Sequence, residues 1–379
     1  MNILITGARA PISADIARVL VAAGHTVYTS DSLVCPVGRF VPGIAGYLRI
    51  PAPKPDFYAF HVALTSVLAN RAIELVIPTS EEVFWLARVP NWPAQCKFFT
   101  ASSQTLETLH HKGAFAQLAN TLGVGAGFSH LVGTDEQRIH FLTHNDPQNY
   151  VFKRVYSRFA TQVLVSPTAK EVASLSFEEG NPWMAQPRAR GDEVCVYNIA
   201  QNGKLLLHVA YRPRLRAGAG ASVYFEPVID TSLRELSRKI VEACDFTGQI
   251  SFDVIQTEKG PVAIECNPRG TSGVHLAAQY PELLAAAFTG TEVELQTLQP
   301  RMLGLPVLMY HPKLLLTAEG RHAWNISKDA MKQARVPLYA QVRATLELLS
   351  SAFTQGVNPL QASTADIEWN GFRKPFGAS

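Results

Sequence analysis

The sequence has no apolar run approaching the ~20 residues a membrane span requires, so no membrane partner is expected. No C-x-x-C occurs among its five widely spaced cysteines, Cys35, Cys96, Cys195, Cys244 and Cys266. An odd number at such spacings argues against a zinc site and against a disulfide framework. It predicts reduced, mostly buried thiols and a cytoplasmic location. A strong charge of either sign is also lacking: the formal balance is only +3, with basic residues scattered, so there is no stripe for a nucleic acid to follow. Met1 opens directly on a strand pattern without a basic leader or cleavage signature. Neither a G-x-S-x-G elbow nor a paired Cys and His arrangement argues for nucleophilic catalysis.

What is present is a chain of 379 residues with a globular, enzyme-like composition, long enough for two or three domains. The opening "NILITGARAPISADIARVLVAAGHTVYTSDS" reads as strand, turn, helix, strand, the start of a parallel α/β layer. A dinucleotide fingerprint starting at Gly7 would need glycine where Arg9 and Ile12 stand, and side chains there hinder the approach of a pyrophosphate. A nicotinamide oxidoreductase is therefore the weaker reading of this domain. In "IELVIPTSEEVFWLA" a strand ends at Pro78, Ser80 is a candidate helix cap, and Glu81 and Glu82 fall in the first helical turn, where the helix dipole favours carboxylates.

From about residue 103 the pattern changes. "SSQTLETLHHKGAFAQLANTLGV" predicts a helix with Phe115, Leu118, Ala119 and Leu122 on one stripe and Gly123 as its stop. "NYVFKRVY" and "TQVLV" predict strands of a small subdomain. Two hairpins follow, turning at Asn202-Gly203 and near Lys259-Gly260, with the helix "SLRELSRKIVEACDF" between them. Beyond residue 291 come amphipathic helical stretches and a loop-like tail, "TADIEWNGFRKPFGAS", whose acidic pair Asp366 and Glu368 has no evident role.

Several residues break local rules. Lys112 continues the stripe of Phe115 near a helix start, where a cation is disfavoured, so it is either a solvated lysine or a phosphate contact. Lys153 lies between Val151 and Val155 on one strand face, either reaching an anion or guarding an edge. Asp253 and Glu265 fall on two strands of one hairpin, with Asn267 on the face of Glu265. Converging carboxylates repel unless a cation intervenes, and such oxygen donors suit magnesium. Arg269, after Pro268, adds a planar charge suited to phosphoryl or carboxylate oxygens. Glu265, at a strand end, is expected to cost little stability when removed. His140 and His144 have helical spacing but no third ligand nearby, which favours surface histidines over zinc.

Taken together, Lys112, Lys153, "QPRARGDE", Asp253, Glu265 and Asn267 in "IECNPR" resemble the ATP-grasp superfamily. "DVIQTEKGPVAIECNPR" is similar to the metal-binding hairpin of the carbamoyl-phosphate synthase large subunit and of many amino-acid ligases. The resemblance implies an α/β and α+β fold in three parts. These are a Rossmann-like pre-ATP-grasp domain over 1–108, an ATP-grasp domain over 109–290 with a lid at about 124–188, and a C-terminal extension over 291–379.

It also implies roles. Lys112 and Lys153 would hold ATP phosphates, and Gln186 with the backbone to Ala189 would meet the adenine. Glu193 would bind the ribose. Asp253, Glu265 and Asn267 would take one or two Mg²⁺ ions, with Mn²⁺ as a substitute, and Arg269 and Lys153 would be the catalytic groups at the transferred phosphoryl. One of Arg212 and Arg214 is expected to bind the substrate carboxylate, unless both belong to a surface basic run. Two departures stand out: "RVYSRFATQV" in the lid lacks glycine, leaving the phosphates to Ser157, Thr161 and backbone amides, and Pro187 replaces a charged residue at the hinge.

The expected activity is a carboxylate-amine ligase acting on small molecules through an acyl phosphate. A bicarbonate-phosphorylating enzyme and a non-catalytic nucleotide-binding module are the alternatives. A homodimer through the C-terminal region is one open assembly.

Overall fold

The computed structural model describes residues 1–158, 162–218 and 220–371, and within them the strands form three sheets. The first is parallel, in the spatial order Gly46–Arg49, Thr26–Asp31, Asn2–Thr6, Leu75–Ile77, Lys97–Phe98. Ile3, Leu4 and Ile5 are all fully buried, as a strand covered on both faces requires. Strand order reverses beside Asn2–Thr6, and the crevice past the carboxyl ends of such strands is where open parallel sheets take ligands.

The first turn of this sheet is filled by side chains. Gly7 is left-handed (φ 68°), and a Cβ there would lie 2.6 Å from Glu82 Oε1. Arg9, in place of a fingerprint glycine, pairs with Asp31 at 2.6 Å and with Asp366 of the tail. Pro11 then starts the helix Pro11–Ala22 at a position where its missing N–H costs nothing.

The predicted helix over 103–122 is two helices, Ser103–His110 and Lys112–Thr121. His111 is extended (ψ 104°), and its ring accepts the Ala114 N–H, capping the second helix and placing Lys112 at its first residue.

A small antiparallel sheet follows, in the order His130–Val132, Trp183–Pro187, Tyr150–Arg154, Val163–Val165, over a core that includes Phe141, Phe152 and Trp183. It corresponds to the expected lid. The large sheet runs Gly260–Asn267, Gly248–Thr257, Asp192–Gln201, Lys204–Ala217, Ala221–Val228, and its two faces are distinct. Val194, Val196, Phe252, Val254 and Cys266 pack with Leu233, Leu236 and Ile240 of the helix Thr231–Ala243. Tyr197, Val209, Tyr211 and Phe225 face the helices that carry Ile12, Ile16, Val274 and Leu276.

The region after residue 291 extends this sheet. Arg301–Met302 pairs antiparallel with Ala221–Val228, and Lys328–Asp329 pairs parallel with Arg301–Met302. The tail returns to the N-terminal layer, where Trp369, 2% exposed, packs edge-on against Trp85 with ring centroids 4.9 Å apart. Glu368 meets Lys54 at 2.6 Å. The acidic pair of the tail thus has cationic partners on both sides. No helix among the described residues is long and apolar enough to cross a membrane.

Candidate active site

Asp253 and Glu265 are directly opposed on adjacent antiparallel strands, so their side chains share one face of the large sheet. Asn267, opposite Ser251, falls on the same face at the strand end. Burial and the neighbouring Glu265 charge push the Asp253 carboxyl up to about 6. Cys195, opposite Asp253 on the next strand, donates its S–H to Asp253 Oδ1 at 3.3 Å. Among the described residues no three His, Cys, Asp or Glu side chains gather as a metal cage. Two carboxylates and an amide are nevertheless hard oxygen donors of the kind that suffice for magnesium, which keeps water and phosphate ligands of its own.

Two lysines from different parts of the fold meet at Glu265. Lys112 Nζ lies 3.1 Å from Glu265 Oε1 and donates to the Ser157 carbonyl at 2.9 Å. Lys153, from the lid, lies 4.0 Å from Glu265 Oε2 and donates to the Ile264 carbonyl at 2.9 Å. Burial lowers the Lys153 pKa to about 8 even though Glu265 favours its charge. Burial also disfavours ionised Glu265, yet the Lys112 and Lys153 charges hold its pKa below the ordinary value.

The chain leaves the lid through Trp183–Pro187 and enters the large sheet at Asp192, with half-buried Ala189 between. Gln186 is 3% exposed, and its Nε2 is buried without a hydrogen-bond partner. An unpaired buried amide donor is costly unless something supplies an acceptor, which is what an adenine ring nitrogen offers. Glu193 shares the face of Cys195 and Asp253 and is held by Arg216 at 2.5 Å.

The arginines are arranged otherwise than expected. Arg212 lies opposite Glu226, one residue past Tyr211, and therefore on the reverse face from Asp253 and Cys195. It approaches Asp192 at 4.0 Å, while Arg214 pairs with Glu226 in solvent. The alternation of this strand is shifted by bulges after Pro213 and Leu215, and these return Arg216 to the carboxylate side. Burial opposes its charge, but Glu193 and Asp253 help to raise its pKa. No sequence signal distinguishes Arg216 from its neighbours without knowledge of those bulges.

Arg269 lies at the mouth of the hairpin, donating to Asn267 Oδ1 at 3.3 Å and standing 3.9 Å from Glu81 Oε1. Glu81, 1% exposed, is more than a helix-start carboxylate. It holds Arg158 through contacts at 2.6 and 2.5 Å, and although burial disfavours its charge, Arg158 pushes its pKa down to about 2. Ser157 takes part through its carbonyl; Thr161 lies outside the described residues. Lys112, Lys153, Asp253, Glu265, Asn267 and Arg269 are thus brought together, Gln186, Ala189 and Glu193 line the connection to the lid, and Arg212 and Arg214 are turned away.

No family model matches the chain, and no curated protein matches its sequence. Solved structures do. N5-carboxyaminoimidazole synthetase from Staphylococcus aureus superposes with a TM-score of 0.63 at 15% identity, covering 84% of this chain and 86% of that one. Phosphoribosylamine–glycine ligase from Thermotoga maritima gives 0.59 at 14% identity, covering 79% of each chain. Biotin carboxylase from Campylobacter jejuni gives 0.59 at 15% identity, covering 78% and 72%. The lid sheet, the large sheet with its acidic hairpin and the parallel layer before them are together the ATP-grasp fold, and it is this fold that the chain has.

Proposed function

We propose that the protein is an ATP-dependent ligase that activates a small carboxylic acid as an acyl phosphate and joins it to an amine. The observation that carries this reading is the meeting of Lys112, Lys153 and Asp253 around Glu265, contributed by separate segments of the fold. Two half-buried carboxylates facing two buried lysines have a use where a metal–triphosphate is to be bound: the acids take the cation and the lysines are freed for phosphate oxygens.

Asp253, Glu265 and Asn267 are the residues that would hold Mg²⁺ or Mn²⁺. A bound divalent ion supplies neutralisation of phosphate charge and alignment of the terminal phosphoryl. Lys112 anchors the phosphates from the body of the fold, and Lys153 brings a second cation from the lid. Arg269, already bonded to Asn267, presents its guanidinium to the oxygens in transfer. Gln186 and the backbone to Ala189 read the adenine, and Glu193 accepts from the ribose. Arg216, rather than Arg212 or Arg214, binds the substrate carboxylate, since it alone of the three is on the carboxylate side. No covalent enzyme intermediate is needed, because placement and charge neutralisation carry phosphoryl transfer.

A second reading takes bicarbonate as the acid. It is favoured by the likeness to biotin carboxylase folds, among them the biotin carboxylase domain of Hydrogenobacter thermophilus 2-oxoglutarate carboxylase, solved in complex with MgADP, ADP and bicarbonate. ADP release measured against panels of organic acids, amino acids and bicarbonate, each with and without an amine, separates the two. Melting curves in Mg-ATP at ~100 times its dissociation constant should rise by the equivalent of about 2.7 kcal/mol. Absence of both effects ends the ligase reading.

Assembly as a homodimer belongs to the same proposal. Tyr339, Val342, Leu346, Leu349 and Phe353 form an exposed apolar stripe along the helix Leu338–Gln355. Sedimentation of the wild type and of Leu346→Glu tests it.

A further inference from the structure

The lid segment that follows Tyr150–Arg154 carries no glycine but does carry an arginine. Arg158 donates from Nε to Glu81 Oε1 at 2.6 Å and from Nη2 to the Trp369 carbonyl at 2.7 Å. Its Nη1 donates to Asn370 Oδ1 at 2.7 Å and lies 3.6 Å from Glu368 Oε2. The carbonyl of the preceding residue, Ser157, is fixed by Lys112, which itself touches Glu265. Arg158 therefore directly follows the residue whose carbonyl the phosphate-anchoring lysine holds, and although burial opposes its charge, Glu81 and Glu265 favour it as a cation. Arg269 approaches Glu81 from the hairpin side at 3.9 Å, so one buried carboxylate lies between two guanidinium groups, one from the lid and one from the metal hairpin.

We infer that Arg158 is the group with which this lid contacts the terminal phosphate of the nucleotide. It does with a planar, bidentate guanidinium what a glycine-rich lid does with backbone N–H groups. Glu81 and residues 368–370 are positioning residues: they hold the guanidinium plane from the N-terminal layer and from the tail, so that little reorganisation remains when phosphate oxygens compete with Glu81 for it. The inference rests on the nucleotide-binding reading above. It makes the C-terminal segment part of the nucleotide site and assigns a task to the acidic residue Glu368.

The test is the affinity of the full chain for ATP and for ADP, each with Mg²⁺, by titration calorimetry. Arg158→Ala is expected to weaken ATP by at least about tenfold, the size of a lost charge-assisted hydrogen bond, and ADP by no more than about threefold. Arg158→Lys should recover part of the loss, and Asn370→Ala should weaken ATP by a smaller factor than Arg158→Ala. Because Arg158→Ala strands a buried carboxylate, the double variant Arg158→Ala/Glu81→Gln is measured alongside it, with circular dichroism to establish folding. Equal weakening of both nucleotides in a folded variant, or unchanged ATP affinity, overturns the assignment while leaving the ligase reading intact. Wild-type protein that binds neither nucleotide overturns both.

Discussion

Lys112 Nζ stands 3.1 Å from Glu265 Oε1, with the lysine side chain 3% exposed and the glutamate 24% exposed, so each tolerates its position because of the other. Removing Glu265 takes the ion-pair partner from two buried ammonium groups, Lys112 and Lys153, and leaves only Asp253 to favour the charge of Lys153. Glu265→Ala should therefore cost about 3–5 kcal/mol in a urea melt, the range for breaking a buried pair from one side. The sequence-based expectation of a cheap strand-end substitution is replaced by this one. Turnover should fall with it by at least about 100-fold, a loss comparable to removing a main electrostatic contact of the transition state. A variant melting like wild type would show that the two lysines do not depend on Glu265.

Glu81 gives a pH prediction of definite sign. Its folded-state pKa, about 2, lies below its ordinary 4.5 because Arg158 stabilises the charge against the cost of burial. Folding thus gains from ionised Glu81 at any pH above 4.5, and the gain disappears as pH falls toward about 2. The displacement corresponds to about 3 kcal/mol at neutral pH. Glu81→Gln should lower stability at pH 7 and flatten its decline between those two values, as read from denaturant midpoints across the acid range. Parallel curves for the variant and the wild type would remove Glu81 as the responsible group.

The arginines separate on a kinetic measurement. Arg216→Ala should raise KM for the acid substrate by about tenfold or more, since a carboxylate would lose a charge-assisted partner. Arg212→Ala and Arg214→Ala should leave KM within about twofold, because exposed ion pairs contribute little. An unchanged KM in Arg216→Ala would return the substrate carboxylate to other groups, Arg269 first among them.

These residues also show which parts of the site could be read from the chain. In the acidic hairpin the alignment of Glu265 with Asn267 was legible from strand alternation alone, whereas the pairing of Asp253 with Glu265 depends on the register shift between Asp253 and Val254, since plain alternation from a turn near Lys259-Gly260 would set Asp253 opposite Ile264. Lys112 was legible as an oddity on an apolar stripe. Arg216 was not, since a bulge reverses a strand's facing and leaves no mark in composition. Glu81 looked like an ordinary helix-start acid because its partner Arg158 is 77 residues away. The tail was opaque for the same reason: Asp366 and Glu368 acquire meaning only against Arg9, Lys54 and Arg158. Local period and turn chemistry specify elements, whereas long-range ion pairs are set by how those elements dock.

Trp369 tests whether the tail is structural as well as positional. It is 2% exposed, lies against Trp85, and carries the Arg88 guanidinium 3.8 Å from its ring centroid. Trp369→Ala should destabilise the protein by about 3–5 kcal/mol, the usual consequence of emptying an aromatic site in a core. Trp369→Phe should recover most of that. Thermal and urea melts decide it, and a loss within about 0.5 kcal/mol, typical of a surface change, would mean that the tail does not stay docked.

Gln186 should show stability and function moving in opposite directions. Its Nε2 is buried without a partner, a penalty of about 1–3 kcal/mol that nothing within the described protein offsets. Gln186→Leu keeps most of the volume and removes the unpaired amide, so the protein alone should melt at a higher temperature than wild type. The same change deletes the donor proposed to meet the adenine, so Mg-ATP should bind more weakly, by about tenfold for one lost hydrogen bond in a dry site. Weaker binding with a lower melting temperature would instead mean that Gln186 is held by the fold, and the unpaired amide would then need a different explanation from a waiting nucleotide.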